Sequence, residues 1–320
     1  MNAPQTDIEK AIINTVSYVD AFDYPLTLAE IHRYLIQHRS TSEDVAGILA
    51  RGTLVPDQLE RSGDYYMLPG RERVVDIRRQ RQDVALQLWP EARRYGRIIA
   101  RMPFVRMVAV TGSLAVNNAG PGEDIDYLIV TADDHLWVCR AFVILVVRWA
   151  AKNGLHICPN YFLAERALHI QTQNLYTAHE LAQMVPLSGM PVYRSLRKAN
   201  QWTQEFLPNA TGAPSLPGQS KPNYHQAAPR TGSRLAEALL GARPSKGLDH
   251  WEMSRKIEKF RHHYQGWEEA EFSPDVCKGH FNFHQHRTIQ AYQRLVSNGK
   301  YDSPHVDEPG IAEPNIREPL

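Results

Sequence analysis

Val108-Ala-Val-Thr-Gly-Ser-Leu-Ala115 is an apolar, β-rich run ending on a Gly-Ser turn, and Asp124-Ile-Asp126-Tyr-Leu-Ile-Val130 begins with two acids before becoming apolar again. This pattern predicts two strands joined by a loop. Residues i and i+2 of a strand point to the same face, about 6.5 to 7 Å apart. Asp124 and Asp126 can therefore converge on one cation while Ile125 turns into the core.

The Gly-Ser pair, the ten residues that follow it and the Asp124-x-Asp126 doublet resemble the signature of the polymerase-β-like nucleotidyltransferase superfamily. The resemblance covers about residues 90 to 165. It implies that Gly112 and Ser113 hold the phosphates of an NTP, and that Asp124 and Asp126 hold Mg²⁺ or Mn²⁺. The alternative is that both acids are solvated at the start of a strand. Asp is depleted in strands, however, so two on one face need a reason.

The composition predicts a globular protein of two or three domains, because the chain has 320 residues and is 43% hydrophobic. Lysine and arginine number 36 against 35 acids, a net charge of +1. We therefore expect no global attraction to nucleic acid or to a membrane, and any polyanion site must lie on one face.

The cysteines are odd in number and scattered, which indicates a reducing, cytoplasmic setting without a disulfide framework: Cys139, Cys158 and Cys277. The N-terminus carries no secretory signal pattern. The longest apolar run, Leu136 to Ala151, is too short to span a bilayer and contains two arginines. We expect it to form a buried helix.

Residues 1–70 predict a winged-helix module. Helical spacing marks Asp7 to Asp20, Leu28 to Gln37 and a segment from Thr41 to Gly52, and a hairpin joins Leu54-Val55 to Tyr65–Leu68. The third helix begins with Glu43 and Asp44, whereas a helix that reads the major groove needs donors for phosphates and base edges. This argues against sequence-specific DNA binding and favours packing against the core or a partner.

Residues 71–170 predict the nucleotidyltransferase-like core with two leading helices, separated at Pro90. The first helix has an arginine-rich face, which is either solvated or a candidate phosphate contact: Arg71, Arg78 and Arg81. After the doublet strand, Asp133-Asp134 is predicted to cap a helix over Leu136 to Lys152, and His156 to Leu163 is predicted as a third strand. This order is the minimal core of the superfamily.

The third strand departs from the superfamily, which usually presents another metal-binding carboxylate there. This strand offers Asn160, and its first acid is Glu165, near its end. An asparagine carbonyl can ligate magnesium but brings no charge and cannot act as a base. Three alternatives stay open. Glu165 swings in, one metal suffices with substrate-assisted deprotonation, or the site binds a nucleotide without turnover.

Residues 171–301 predict a helical substrate or partner domain, and residues 302–320 a loose tail. Helices are expected over Leu175–Met184 and Val192–Phe206, with a loop at Pro186–Pro191 and a proline-rich connector at 207–232. The most basic helix, about 248 to 264, carries Arg255 and Lys259 on one face. These are candidate contacts to an anionic substrate or RNA, and an exposed face is the alternative.

Cys277-x2-His280-x3-His284 has spacings that could meet a zinc ion, although a fourth ligand is needed. Alternatively, Lys278, His280 or His284 faces the active-site cleft, with Lys278 and His280 as the candidate substrate or phosphate contacts. A third reading is that these residues cap and pack a helix.

The sequence as a whole predicts an α+β protein made of a winged-helix module, a small mixed-sheet nucleotidyltransferase core and a helical C-terminal domain. The predicted activity is transfer of NMP from an NTP to a hydroxyl of RNA, a protein side chain or a small molecule. The rival hypothesis is a non-catalytic regulator that binds a nucleotide or nucleic acid through a degenerate core.

Overall fold

The computed structural model describes residues 6–214, 237, 244–263, 271–279, 288, 290 and 292. Within them the helices are α1 (Asp7–Asp20), α2 (Leu28–Arg33), α3 (Ser42–Ala50), α4 (Arg73–Ile99), α5 (Gly112–Ala115), α6 (Leu136–Lys152), α7 (Leu175–Gln183), α8 (Met190–Ala199), α9 (Thr203–Phe206) and α10 (Pro244–His263). The strands are β1 (Leu26–Thr27), β2 (Glu60–Ser62), β3 (Tyr65–Met67), β4 (Val105–Val110), β5 (Ile125–Thr131), β6 (Ile157–Ala164), β7 (Val185–Ser188), β8 (Glu271–Phe272) and β9 (Val276–Lys278). The protein is a mixed α+β fold.

The N-terminal module, residues 6–68, contains α1–α3 and β1–β3. The N-caps of its three helices are Thr6, Thr27 and Thr41. Each threonine side chain accepts a hydrogen bond from the backbone N–H of the acidic residue three positions later, and the carboxylate of that residue accepts one from the threonine backbone N–H. The strands form an antiparallel sheet in the order β1-β3-β2. Three helices followed by a hairpin are confirmed, but the hairpin is β2–β3 and does not include Leu54-Val55.

The central sheet has the strand order β7-β4-β5-β6-β9-β8, with β5 and β6 parallel and the other neighbours antiparallel. Successive side chains along β4 and β5 point to opposite faces of the sheet, as in any strand, and therefore enter two different hydrophobic cores. Met107 and Leu128 pack toward the N-terminal module and α7–α9, whereas Val108 and Tyr127 pack toward α4, α6 and α10. Helices therefore cover both faces of the sheet.

Three strands of this sheet come from the region predicted to form a separate helical domain. β7 lies at one edge and occupies the first half of the segment expected to be a loop, with Pro186 opposite Ala109. A proline is tolerated in an edge strand because one side of that strand needs no ladder hydrogen bonds. β8 and β9 extend the other edge, next to β6. The predicted division of core from C-terminal domain differs from the structure in this respect.

Helix α4 runs without interruption through Pro90, where the sequence predicts a break. A proline inside a helix costs about 3 kcal/mol because it removes one hydrogen bond and crowds the preceding turn. Trp89 and Tyr95, which flank the proline, are 2% and 1% exposed and enter one core. Burial of these two large side chains offsets the cost, and the helix continues.

Arginines at the start of α4 fasten this helix to the N-terminal module. Arg71 pairs with Asp20 at 2.9 Å and with Asp23 at 2.5 Å. Arg81 donates to the Phe22 carbonyl at 2.9 Å. These guanidinium groups are engaged by the protein itself, so the hypothesis of a phosphate-binding face on this helix is wrong.

Arg78 is the most buried of the three, with a side chain only 3% exposed. Its Nη2 lies 2.6 Å from Glu30 Oε1, and it also donates to the Pro25 carbonyl. The guanidinium stacks over the Tyr24 ring, 4.0 Å from the centroid, and faces Tyr65 at 5.0 Å. One side chain therefore links α4 to three parts of the N-terminal module.

The N-terminus of α6 is capped from α10 and not, as predicted, by Asp133-Asp134. Asp249 Oδ1 accepts a hydrogen bond from the Val138 N–H at 2.8 Å, and a carboxylate is favoured at that end of a helix. Asp133 instead accepts from the Arg166 backbone N–H at 2.9 Å, and Asp134 pairs with the Arg166 side chain at 2.8 Å. The sequence pattern does not predict this cap because Asp249 lies 111 residues from Val138 along the chain.

The apolar run at α6 is a buried helix, as predicted, and packs against the central sheet. Trp137 and Val143 are fully buried there. Across the described ranges, we find no helix that combines the length and the hydrophobicity needed to cross a bilayer. Cys139, Cys158 and Cys277 all lie in the described ranges, and none of them forms a disulfide bond.

Replacing Arg78 with methionine should lower the free energy of unfolding by about 1.5 to 3 kcal/mol, because the partly buried Glu30 carboxylate would lose its charged partner and keep only its hydrogen bonds from Tyr24 and Thr27. The matched control is Arg79, an exposed neighbour that pairs with Asp76 at 3.4 Å. R79M should change stability by less than about 0.5 kcal/mol. Urea denaturation followed by circular dichroism measures both variants, and equal effects would contradict the fastening role of Arg78.

Candidate functional site

Gly112 and Asp126 meet where the Gly-Ser turn leaves β4 and β5 begins. Val110 lies opposite Tyr127 in the antiparallel pair, and the Thr111 N–H donates to the Asp126 carbonyl at 3.1 Å. Gly112 has a φ of +64°, and a Cβ at this position would overlap Oδ2 of Asp126. Two constraints therefore favour glycine at position 112: the left-handed backbone conformation and the Asp126 carboxylate, which lies where a Cβ would be.

Ser113, the second residue of the turn, donates its hydroxyl hydrogen to Glu123 Oε2 at 2.5 Å. The other oxygen of Glu123 lies close to the Gly120 backbone, since a Cβ there would be 2.9 Å from it. Glu123 is exposed and directly precedes Asp124, which is exposed as well. Sequence reasoning missed Glu123. The available signal was its position beside the doublet.

Asn160 contacts Asp126 from the third strand, with Nδ2 donating to Oδ1 at 3.2 Å. An irregularity in the parallel pair makes this contact, since Asp126 is opposite Cys158 but Leu128 is opposite Tyr161. One extra residue in β6 turns the Asn160 side chain toward the face of the sheet that carries Asp126. The Cys158 thiol also hydrogen-bonds the Asp126 carboxylate.

The electrostatic environment of these acids is strongly negative. Burial, together with the charges of Asp124, Glu180 and Glu123, raises the pKa of the Asp126 carboxyl to about 8, although the hydrogen bond from Cys158 acts in the opposite direction. Asp124 is exposed as a residue, but partial desolvation of its carboxyl group raises its pKa, with the charge of His156 acting in the opposite direction and that of Glu123 in the same one. Asp126 therefore keeps its proton near neutral pH unless a cation comes to the site.

The side chains near Asp126 could supply only part of the ligands of a bound cation. Within the described ranges, no group of three or more His, Cys, Asp and Glu side chains is arranged to hold a metal ion. The oxygen donors near the start of β5 are the carboxylates of Asp124 and Asp126 and the side-chain carbonyl of Asn160. Glu123 adds a carboxylate that already accepts a hydrogen bond from Ser113. Mg²⁺ usually keeps several waters and binds through one or two protein carboxylates. The residues present fit such an ion better than one enclosed by protein ligands.

Glu165, the other candidate from the third strand, lies at the opposite end of β6. It follows Ala164, which pairs with Thr131, and Thr131 is five residues from Asp126, or roughly 16 Å along a strand. Glu165 is exposed there and lies 3.6 Å from the Arg106 guanidinium. The structure therefore does not bring Glu165 to the acidic cluster, which consists of Asp124 and Asp126.

The basic residues of α10 are also apart from the cluster in the structure. Arg255 forms hydrogen bonds of 2.8 and 2.7 Å with Glu252 and stacks over Trp251. The helix packs on the face of the sheet opposite Leu128 and hence opposite Asp126, its i−2 neighbour. The side chain of Lys259 lies outside the described residues.

Lys278, in contrast, is on the same face as the cluster. It is 7% exposed, lies opposite Tyr161 in the β6–β9 pair, and places Nζ 5.8 Å from the Tyr161 ring centroid. Cys277 is buried in β9 opposite Phe162. The other members of the suggested zinc motif, His280 and His284, lie outside the described residues.

A small cleft opens beside Asn160, between the sheet and α7, with a cavity volume of about 20 Å³. It combines apolar walls with hydroxyl, amide and carboxylate groups. Its lining residues are Thr111, Leu128, Asn160, Tyr161, Ile170, Thr177, Glu180 and Leu181. Since Asn160 also touches Asp126, the cleft and the acidic cluster share a wall.

Gly112→Ala should destabilise the protein more than Gly122→Ala. Both glycines have a positive φ, +64° and +81°, but a Cβ at Gly122 meets open space whereas one at Gly112 meets Asp126. Both variants incur the cost of the left-handed backbone, and G112A should lose about 1 to 3 kcal/mol more from overpacking. Chemical denaturation measures the difference. Equal losses would mean that the carboxylate does not lie on the glycine.

Asp126→Asn should alter how stability depends on pH. An acid with a raised pKa binds its proton more tightly in the folded state, so wild type should lose stability as the pH rises from about 4 to about 8. Because the amide cannot ionise, D126N should become progressively more stable than wild type across this window. Thermal unfolding at a series of pH values tests it. A stability difference that is constant with pH would contradict the raised pKa.

Comparison with known proteins gives no match. No family model, no curated protein and no solved structure corresponds to this chain. What the site can do therefore follows from its own residues and geometry.

Proposed function

We propose that this protein is a metal-dependent nucleotidyltransferase that transfers NMP from an NTP to a hydroxyl acceptor, with Mg²⁺ or Mn²⁺ at the acidic cluster. One observation carries the proposal: the Asp126 carboxylate lies against the Gly112 backbone. A phosphate held at the turn and a cation held at the acid would then be neighbours. A Gly-Ser turn or an acid pair alone would support much less.

The phosphate side of the site consists of Gly112 and Ser113. A left-handed glycine turns successive backbone N–H groups toward one concavity, and such concavities bind anions. The Ser113 hydroxyl, which donates to Glu123 in the free protein, would donate to a phosphate oxygen instead. Glu123 would be released by that exchange and lies beside the cation-binding pair.

The cation side consists of Asp124 and Asp126. When bound there, the metal would neutralise charge on the phosphates and on the oxygens that enter and leave. Asn160 donates to Oδ1 of Asp126 and fixes the direction of this carboxylate. Asp126 would lose its proton on binding, because a carboxyl ligates a cation in its ionised form.

In the transfer itself, the acceptor oxygen forms a bond to the α-phosphorus while the bond to the β-phosphate oxygen breaks and pyrophosphate leaves. Asn160 cannot take the acceptor proton, so this proton goes to a phosphate oxygen of the substrate or to solvent. The contribution of the chain is to position both substrates and to neutralise charge, which can supply most of the acceleration.

The N-terminal module has the element order of a winged helix, which supports that assignment. We propose a supporting role for it and not sequence-specific DNA binding. Glu43 and Asp44 occupy the first turn of α3, where a DNA-reading helix would need donors. The buried pair of Arg78 with Glu30 ties the module to the core.

A second candidate function is a regulator that binds a metal–nucleotide complex without turning it over. The observation that favours it is the third strand, which brings an amide to Asp126 where the superfamily has a carboxylate. Glu165 does not compensate, because it lies at the other end of β6 beside Arg106. Turnover, and not binding, separates the two candidates.

Joint replacement of Asp124 and Asp126 by alanine should weaken Mg²⁺-dependent nucleotide binding and label transfer by about 100-fold or more, because the cation loses its charged ligands. The matched control is Glu165→Gln, which removes an acid from the same sheet away from the cluster and should leave both unchanged. The measurement follows α-labelled NTPs incubated with Mg²⁺ and cellular RNA, protein or small-molecule extract.

Three results decide between the candidates. Transfer by wild type that is lost in the double variant supports the transferase. Binding without any transfer favours the regulator. If wild type and double variant behave alike and neither binds metal and nucleotide, both candidates are wrong.

A further inference from the structure

The Ser113 hydroxyl, which the proposed function assigns to a phosphate, has an anionic partner in the free protein. Its Oγ donates to Glu123 Oε2 at 2.5 Å. A carboxylate oxygen and a phosphate oxygen are both negatively charged acceptors. Glu123 is exposed, so this contact is open to exchange with a group that arrives from solvent. The Glu123 carboxylate therefore occupies at Ser113 the position that the proposed function gives to a phosphate oxygen.

The loop between Ser113 and Glu123 holds this carboxylate in place through its own backbone. The Asn118 N–H donates to the Ser113 carbonyl at 2.9 Å, and the Glu123 N–H donates to the Gly120 carbonyl at 3.2 Å. The second carboxylate oxygen, Oε1, packs against Gly120, where an added Cβ would lie 2.9 Å from it. Both oxygens of Glu123 therefore contact the loop, and the carboxylate is directed at the Ser113 hydroxyl.

The charge of Glu123 also acts on the two acids that follow it. It contributes to the raised pKa of the Asp124 carboxyl and of the Asp126 carboxyl. Its hydrogen-bond partner Ser113 is neutral, so the negative charge stays at the site. A triphosphate without a cation carries several negative charges, and like charges a few ångströms apart repel each other. Glu123 therefore opposes a free nucleotide twice, because it occupies the hydroxyl and repels the phosphates.

A divalent cation bound at Asp124 and Asp126 would reverse this balance. Its charge attracts the phosphates, and it also stabilises the Glu123 carboxylate after that group leaves Ser113. The Ser113 hydroxyl exchanges one charged acceptor for another, so the exchange loses no hydrogen bond at this side chain. Displacement of Glu123 by a phosphate is therefore favoured when the cation is present and disfavoured when it is absent.

We propose that Glu123 is a specificity-determining residue that makes the site accept a metal-bound NTP and reject the free NTP. Its carboxylate holds the Ser113 hydroxyl until a cation and a phosphate arrive together. Glu123 is not a catalytic residue in this proposal, because it leaves the hydroxyl before the phosphates are in place. This role rests on the proposed function, which places the phosphates at the Gly112-Ser113 turn.

The test measures the dissociation constant of a non-hydrolysable ATP analogue for the full chain by NMR titration, once with EDTA and once with Mg²⁺ at equal ionic strength. Glu123→Gln keeps an acceptor oxygen and removes the charge, and Glu123→Ala removes both. The metal-free analogue should bind E123Q and E123A about tenfold more tightly than wild type, because a competing like charge is lost. The factor by which Mg²⁺ tightens binding should therefore fall by about tenfold.

The matched control is Glu165→Gln, which makes the same change of charge at the far end of β6, beside Arg106. E165Q should leave both dissociation constants unchanged. Thermal melting separates the proposed role from a structural one. Because Glu123 is exposed, E123Q and E123A should melt like wild type.

Three results would overturn the role of Glu123. The metal-free analogue binds E123Q and E123A as it binds wild type, E165Q shows the same tightening, or the Glu123 variants melt lower and lose both forms of the nucleotide. The proposed function is judged separately, on wild type against the D124A/D126A variant with Mg²⁺. If only wild type binds, the proposed function keeps its support whatever E123Q shows. If the two bind alike or neither binds, the proposed function and the role of Glu123 fail together.

Discussion

The contact between the Gly112 backbone and the Asp126 carboxylate sets the geometry of the candidate site. It exists because β4 and β5 pair antiparallel in a register that puts the end of one strand beside the start of the other. It also excludes any side chain at Gly112, where the backbone is left-handed. The extra residue in β6 then brings Asn160 to the same carboxylate. Three neighbouring strands of one sheet therefore converge on a single acid.

The N-terminal module contributes to this geometry from outside the sheet. The Tyr24 hydroxyl donates to the Val116 carbonyl at 2.9 Å, and Asn118 donates to the Phe22 carbonyl at 3.2 Å. These bonds hold the loop that follows the Gly-Ser turn. Tyr24 is in turn stacked under the Arg78 guanidinium. The ion pair of Arg78 with Glu30, which is far from the acids in sequence, therefore helps to define where the Gly112-Ser113 turn lies.

Local sequence pattern is sufficient for β4, β5, α6 and β6, because each is a mainly apolar run next to turn residues. It predicts the Gly-Ser turn and the acid doublet for the same reason. It fails for β7, where Pro186 and Gly189 suggest a loop and only pairing with β4 makes a strand. It also fails for the cleft, since nothing near Thr177 or Glu180 indicates that α7 packs beside Asp126. These contacts depend on tertiary packing, which carries no local signature.

We propose that Asp126 is a protonated carboxyl that loses its proton when a cation binds beside the Gly112-Ser113 turn. Calorimetric titration of Mg²⁺ with a non-hydrolysable NTP, repeated in buffers of different ionisation enthalpy, measures the protons released on binding. Because the pKa of Asp126 is raised to about 8, wild type should release close to one proton at neutral pH, and D126N should release none. Binding by wild type without proton release, or no metal-dependent binding at all, would contradict this account.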